Sequence, residues 1–146
     1  MTNLQTALRN GELVLGTWLN SGSSIVGELM SGAGFDFICI DAEHAPVELT
    51  TIHQIIQGIT SGNPDCHAWV RAHGVDYALV KRYLDAGATG IIAPLVNTPE
   101  QAEILISAVK YPPLGNRGVG FCRANQYGYT LKAVSYTHLR AHETPA

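Results

Sequence analysis

Residues 35–46 read Phe35-Asp-Phe-Ile-Cys-Ile-Asp-Ala-Glu-His-Ala-Pro46. From Phe35 to Ile40 every position but Asp36 is apolar, with aromatic and branched side chains, which is the composition of a buried strand. The run then breaks into Asp41, Glu43 and His44, three ionisable groups within four positions. Beyond them, residues 47–60 place Leu49, Ile52, Ile55, Ile56 and Ile59 on one helical face. Strand, polar loop and amphipathic helix together predict one βα unit.

The same unit recurs on both sides. Before it, residues 13–19 form a short apolar run, and 24–33 carry Ile25, Val26, Leu29 and Met30 at helical spacing. After it, a strand at 67–72 leads to a helix at 76–86, where Asp76 can cap and Ala78, Leu79, Val80 and Leu84 supply apolar contacts. A fourth strand, Gly90 to Val96, precedes a helix from Thr98 with Pro99 in its first turn and Glu100 and Glu103 near its positive end. Strands rich in Ile, Val and Leu that alternate with helices predict a parallel sheet. On this pattern an open sheet and half a barrel are equal. The polar residues separate them, because Trp18, the Asp41–His44 stretch, Arg71 and Asn97 fall at four successive strand ends, where barrel enzymes carry their chemistry. The fold class expected is therefore α/β, a partial TIM (β/α)8 barrel made of about its first four βα units.

Composition restricts the function. The chain is 46% hydrophobic and 14% charged, which fits one globular unit, and its net charge of -3 comes without a basic stripe for a phosphate backbone or an anionic membrane. Nucleic acid and membrane partners are not expected. Cys39, Cys66 and Cys122 are odd in number and match neither a zinc motif nor a disulfide framework, so a reducing, cytoplasmic setting is expected. The first residues lack the charged start and apolar stretch of a signal peptide.

At the chemical level, a histidine beside carboxylates can be fixed in one tautomer as a base for proton abstraction next to a carbonyl. His44 is the candidate base and Asp41 its candidate orienter. The plainer reading has Asp41 capping the following turn and His44 at the surface. Arg71 leaves an apolar strand where an unpaired cation is costly. It calls for an anionic partner, either a substrate carboxylate or enolate oxygen, or Asp41 or Glu43 on the neighbouring strand. Asp85, before Gly87 as a C-cap, reads from spacing alone as capping or solvated.

Taken in order, Gly16-Thr-Trp-Leu19, the Ile40-Asp-Ala-Glu-His-Ala-Pro46 loop, residues 80–100 and Lys110-Tyr-Pro-Pro-Leu-Gly-Asn-Arg-Gly-Val-Gly120 resemble the HpcH/HpaI family of metal-dependent pyruvate aldolases over residues 4–133. The resemblance implies reversible aldol cleavage of a 4-hydroxy-2-oxo acid to pyruvate, or a close analogue, and an aldehyde through a metal-stabilised enolate. It gives His44 the base role and Asp41 the orienting role, and makes Arg71 both catalytic and substrate-binding. It adds Asp85 as a catalytic carboxylate near the histidine, reversing the spacing-based reading, and places Trp18 at the substrate mouth, with a core tryptophan as rival. Arg117 is implied to meet an acidic substrate or a neighbouring subunit, and the assembly to be a homo-oligomer, a hexamer. A divalent metal, Mg or Mn and on occasion Co, is implied for the intact parent, with ligands in a fifth-strand Glu and a Gly-Pro-x-Asp-Leu motif. Neither motif occurs before residue 134, so no metal-binding residue is assigned here and the fragment is expected to hold no metal tightly and to be inactive by itself.

Residues 134–144 break the preceding composition and resemble a translated transposase-type sequencing adapter. Two segments are therefore expected: 1–133, the N-terminal half of an aldolase barrel, and 134–146, a non-native tail. Two other functions fit parts of the pattern. One is a citrate-lyase or malyl-CoA-lyase-like enzyme acting on CoA thioesters. The other is a non-catalytic α/β binding module in which Asp41, His44 and Arg71 form a structural ion cluster.

Overall fold

The computed structural model describes residues 4–130, so the segment read as adapter-like lies outside the described residues. After a short helix α1 (Leu4–Arg9), the chain alternates β1 (Gly16–Leu19), α2 (Ser24–Ser31), β2 (Phe37–Asp41), α3 (Leu49–Gly62), β3 (His67–Arg71), α4 (Tyr77–Asp85), β4 (Gly90–Ile92) and α5 (Pro99–Val109). A 3-10 segment follows at Arg123–Gly128. The strands lie in the order β1-β2-β3-β4, every neighbour parallel. This is the α/β arrangement of the first four units of a (β/α)8 barrel.

Helix starts follow local chemistry. The side chains of Ser23 and Asp76 accept from the backbone N–H of Val26 and Leu79. Thr98 and Gln101 form a reciprocal capping box ahead of α5, with Pro99 at its first position. Helix α4 closes with Gly87 at φ 108, while Gly87 N donates to Leu84 O and Ala88 N to Tyr83 O. That paired return needs a left-handed residue, which only glycine adopts without a side-chain clash.

Alternation along the strands gives the sheet two unlike faces. Leu19, Ile38, Ile40, Ala68 and Val70 face the helices and pack with Ile52, Ile55, Ile56 and Ile59 of α3 and with Tyr83 of α4. On the other face stand Trp18, Phe37, Cys39, Trp69 and Arg71. Phe37 stacks on Trp69 with ring centroids 4.3 Å apart. The flanking strands make room for those rings with glycine: a Cβ on Gly16 would lie 2.0 Å from the Phe37 ring, and one on Gly90 2.6 Å from the Trp69 ring.

Two boundaries differ from the sequence reading. Strand β4 ends at Ile92 rather than Val96, because Pro94 has no N–H for a ladder and Leu95 turns to φ 56. Helix α1 was not anticipated, since its apolar positions, with Leu4 and Ala7 buried, are too few to show a period.

Helices α2 and α3 approach closely where Gly58 faces the backbone of Ser24, and a Cβ there would meet Ser24 O at 2.3 Å. Alanine is favoured over glycine within a helix by about 1 kcal/mol. We nevertheless expect Gly58→Ala to destabilise the chain by about 1–3 kcal/mol through overpacking, read as a lower urea midpoint. A neutral or raised midpoint would mean that the two helices can move apart freely.

Candidate active site

The site is built where β2 and β3 end. Parallel register sets Asp41 beside Arg71. Asp41 is fully buried, and both of its oxygens are taken. Oδ1 accepts from Arg71 Nε at 2.9 Å and from the backbone N–H groups of Glu43 and His44 at 3.1 Å each. Oδ2 accepts from Arg71 Nη2 at 2.5 Å and from Asn20 Nδ2 at 3.0 Å. The guanidinium beside it, helped by the two backbone donors, holds the Asp41 carboxyl down at about 2 against an ordinary 3.8, although burial pulls the other way.

Arg71 is fixed on three sides. Besides the two-toothed contact with Asp41, its Nε lies 3.4 Å from Glu43 Oε2, and the guanidinium sits 4.7 Å from the centroid of the Trp18 ring. Its Nη1 makes no hydrogen bond or ion pair among the described residues, and a quarter of the side chain is open to solvent. The cation is thus oriented and still has a donor edge to offer. Trp18 itself is half-exposed, so it forms the wall of an open surface rather than core.

His44 projects from the loop, with its side chain 69% exposed and its Nε2 3.6 Å from Glu43 Oε2. The expected orienting contact is corrected in kind. Asp41 binds the backbone N–H of His44 and so places the loop, while the carboxylate nearest the ring is Glu43. Asp41 cannot do both, because Arg71 has already drawn its oxygens toward β3.

Asp85 does not join this cluster. It sits in the last turn of α4, where it lines a hollow together with Leu49, Thr50 and His53 of α3. There Asp85 Oδ1 accepts from Arg117 Nη2 at 2.8 Å. Arg117 is 8% exposed and lies over the Tyr111 ring. Asn97 is also outside the cluster, since its Nδ2 donates to Leu95 O in the turn before α5.

Two contributors escaped the sequence reading. Asn20, one residue past β1, completes the shell of Asp41, and its signal was a polar side chain in register with the other strand ends. His73, two residues past Arg71, has its Nδ1 3.0 Å from the Tyr83 hydroxyl. Burial raises the Tyr83 pKa, so that hydroxyl keeps its proton. Burial pushes the Cys39 thiol up to about 11 and also raises Cys66 and Cys122.

Known proteins share this sequence pattern and fold. The profile of HpcH/HpaI aldolase/citrate lyase matches residues 15–142. The chain belongs to the HpcH/HpaI aldolase/citrate lyase family. It is 39% identical over 128 residues to a 4-hydroxy-2-oxovalerate aldolase of Rhodococcus jostii, covering 88% of this chain and 49% of the relative. It is 42% identical over 124 residues to a 2-dehydro-3,6-dideoxy-6-sulfogluconate aldolase of Pseudomonas putida, covering 83% and 47%. Among solved structures, a family member from Burkholderia cenocepacia superposes with a TM-score of 0.83 at 31% identity, covering 97% of this chain and 56% of that one. The HpcH/HpaI aldolase of Desulfitobacterium hafniense gives 0.72 at 36%, covering 80% and 45%. The chain spans about half the length of the curated relatives it matches. No described helix is long and apolar enough to cross a membrane.

The residues present do not fit the divalent metal that the resemblance implies. Among the described residues no group of three His, Cys, Asp or Glu side chains converges. Both Asp41 oxygens are engaged, and Glu43 alone does not make a cation site.

Because the Asp41 pKa is lowered on folding, its contribution to stability, about 2 kcal/mol, is present above the unfolded value of 3.8 and is lost as pH falls toward about 2. In Asp41→Asn the two-toothed pair with Arg71 is gone. We expect a loss of about 2–4 kcal/mol at neutral pH and a flatter stability profile across that acid window. Urea unfolding at a series of pH values reads both, and an unchanged acid limb would contradict the assignment.

Proposed function

We propose that this chain supplies the substrate-orienting and proton-transfer half of a lyase site that cleaves a 4-hydroxy-2-oxo acid to pyruvate, or a close analogue, and an aldehyde. The observation that carries this reading is Arg71, locked by Asp41 and Trp18 at the C-terminal end of the sheet while one edge of its guanidinium stays free. A cation held in place before the substrate arrives needs no reorganisation when negative charge develops opposite it. The relatives, a 4-hydroxy-2-oxovalerate aldolase and a 2-dehydro-3,6-dideoxy-6-sulfogluconate aldolase, support the same direction.

In cleavage, a base removes the proton of the 4-hydroxyl, the C3–C4 bond breaks, and its electron pair passes into the pyruvate enolate as the aldehyde leaves. Protonation at C3 completes the turnover. His44 is the base in this scheme, being the imidazole carried by the loop that Asp41 fixes, with Glu43 beside its Nε2. Arg71 binds the oxo-acid oxygens and offsets the enolate charge. Trp18 walls the mouth. Asp41 acts through Arg71 and the loop backbone, as a positioning residue. A divalent cation, Mg or Mn, belongs to this proposal only through the portion of the relatives that the chain does not cover, and no step here depends on it. A homo-oligomer and a cytoplasmic setting complete the reading.

The test uses a barrel in which this chain is joined to the part of the Rhodococcus jostii relative that it does not cover. With 4-hydroxy-2-oxovalerate as substrate, His44→Ala is expected to lower kcat by about 10²–10⁴-fold. Arg71→Met should lower kcat/KM by about 10²–10³-fold. Activity within twofold of the parent in both variants would remove the lyase reading and leave the ion cluster as a structural device.

A further inference from the structure

The N-terminal half of α3, the end of α4 and the Arg123–Gly128 segment line an open hollow of about 480 Å³. Its walls divide by chemistry: Leu49, Ala86 and the Tyr127 ring are apolar, while His53, Arg82 and Arg123 bring basic nitrogen. Asp85 also reaches it, but that carboxylate is already neutralised by the 2.8 Å contact with Arg117. Neither Arg82 nor Arg123 has a carboxylate partner among the described residues. Arg123 is half-buried, and its stem lies so close to Gly87 that a Cβ there would fall 2.9 Å from Arg123 Cδ. A half-buried guanidinium at the wall of a mostly apolar hollow, with no carboxylate partner, is favourably placed to pair with an anion there.

The segment that carries Arg123 and Tyr127 is held in an unusual shape. Gln126 and Tyr127 are consecutive non-glycine residues at φ 52 and 55. Asn125, 3% exposed, secures them: its Oδ1 accepts from Cys122 N and Gly128 N, each at 3.1 Å, and its Nδ2 donates to Gly120 O. Backbone held in a costly region by a buried side chain is a recurrent feature of ligand clamps. Here it sets the phenol of Tyr127 at the rim.

We propose that this cavity is a second binding site for a small organic anion, with a phosphate or carboxylate head between Arg82, Arg123 and His53 and an apolar body on Leu49, Ala86 and Tyr127. The volume suits a ligand of drug-like size, and two arginines supply the planar donor forks that such heads favour. The site is independent of the lyase reading, because it uses none of Trp18, Asp41, His44 or Arg71.

The test titrates the whole chain with phenyl phosphate, benzoate and inorganic phosphate, followed by calorimetry and by 1H–15N spectra. The expected result is saturable one-to-one binding that shifts the signals of His53, Arg82 and Arg123, with phenyl phosphate tighter than inorganic phosphate. If phenyl phosphate alone binds, the head is a phosphate ester; if benzoate matches it, a carboxylate suffices; either supports the site. Arg123→Gln is expected to weaken binding at least about tenfold. Arg82→Gln, on an exposed helical position that leaves the fold intact, should do the same, whereas Lys81→Gln should change affinity less than twofold. No binding, equal affinity for inorganic phosphate, or equal losses in all three variants would overturn the proposal.

Discussion

A buried carboxylate and a guanidinium, each on its own strand, hold this molecule's working end together. Asp41 has no exposed surface and accepts five hydrogen bonds, two of them from Arg71. Taking two charges out of water is costly unless geometry is good and the remaining lone pairs are used. Here they are used by Asn20 and by the backbone of Glu43 and His44, so the pair ties together the ends of β1, β2 and β3 and sets the loop from which His44 projects. The direction in which Arg71 faces follows from that pair, and so does its stacking on Trp18.

The sheet makes this arrangement available because its two faces do different work. Side chains toward the helices are aliphatic and fully enclosed, so the frame is rigid. Those on the other face are aromatic and charged, and they run from the Phe37–Trp69 stack to the Trp18–Arg71–Asp41 group at the strand ends. Parallel pairing alone brings the ends of β2 and β3 to the same level. A shift of one residue in either strand would turn Asp41 or Arg71 into the helical layer and dissolve the site.

Much of this is legible in the amino-acid order. Period-two and period-3.6 patterns locate four strands and four helices, and the ionisable cluster after Ile40 marks the strand end that carries chemistry. Ser23, Asp76 and Thr98 announce helix starts because capping is a local matter of one side chain and one backbone N–H. What is not legible depends on distance in space. Whether Asp41 faces the imidazole or the backbone of His44 turns on Arg71, thirty residues away. The pairing of Asp85 with Arg117 depends equally on how the segment after α5 folds back. The family resemblance points Asp85 toward the histidine, and within this chain its ion-pair partner is Arg117. Asn20 and His73 gain their partners only from the register of neighbouring elements.

The central claim is that Arg71 and His44 act on an oxo acid at the strand ends, and the enolisation half-reaction isolates it from aldehyde binding. In the completed barrel, exchange of the pyruvate methyl protons with deuterium oxide can be followed by 1H spectroscopy for the parent, His44→Gln and Arg71→Met proteins. Steady exchange is expected in the parent and loss of most of it in both variants, each assayed under conditions where circular dichroism shows it folded. Exchange that proceeds equally in all three folded proteins would contradict it.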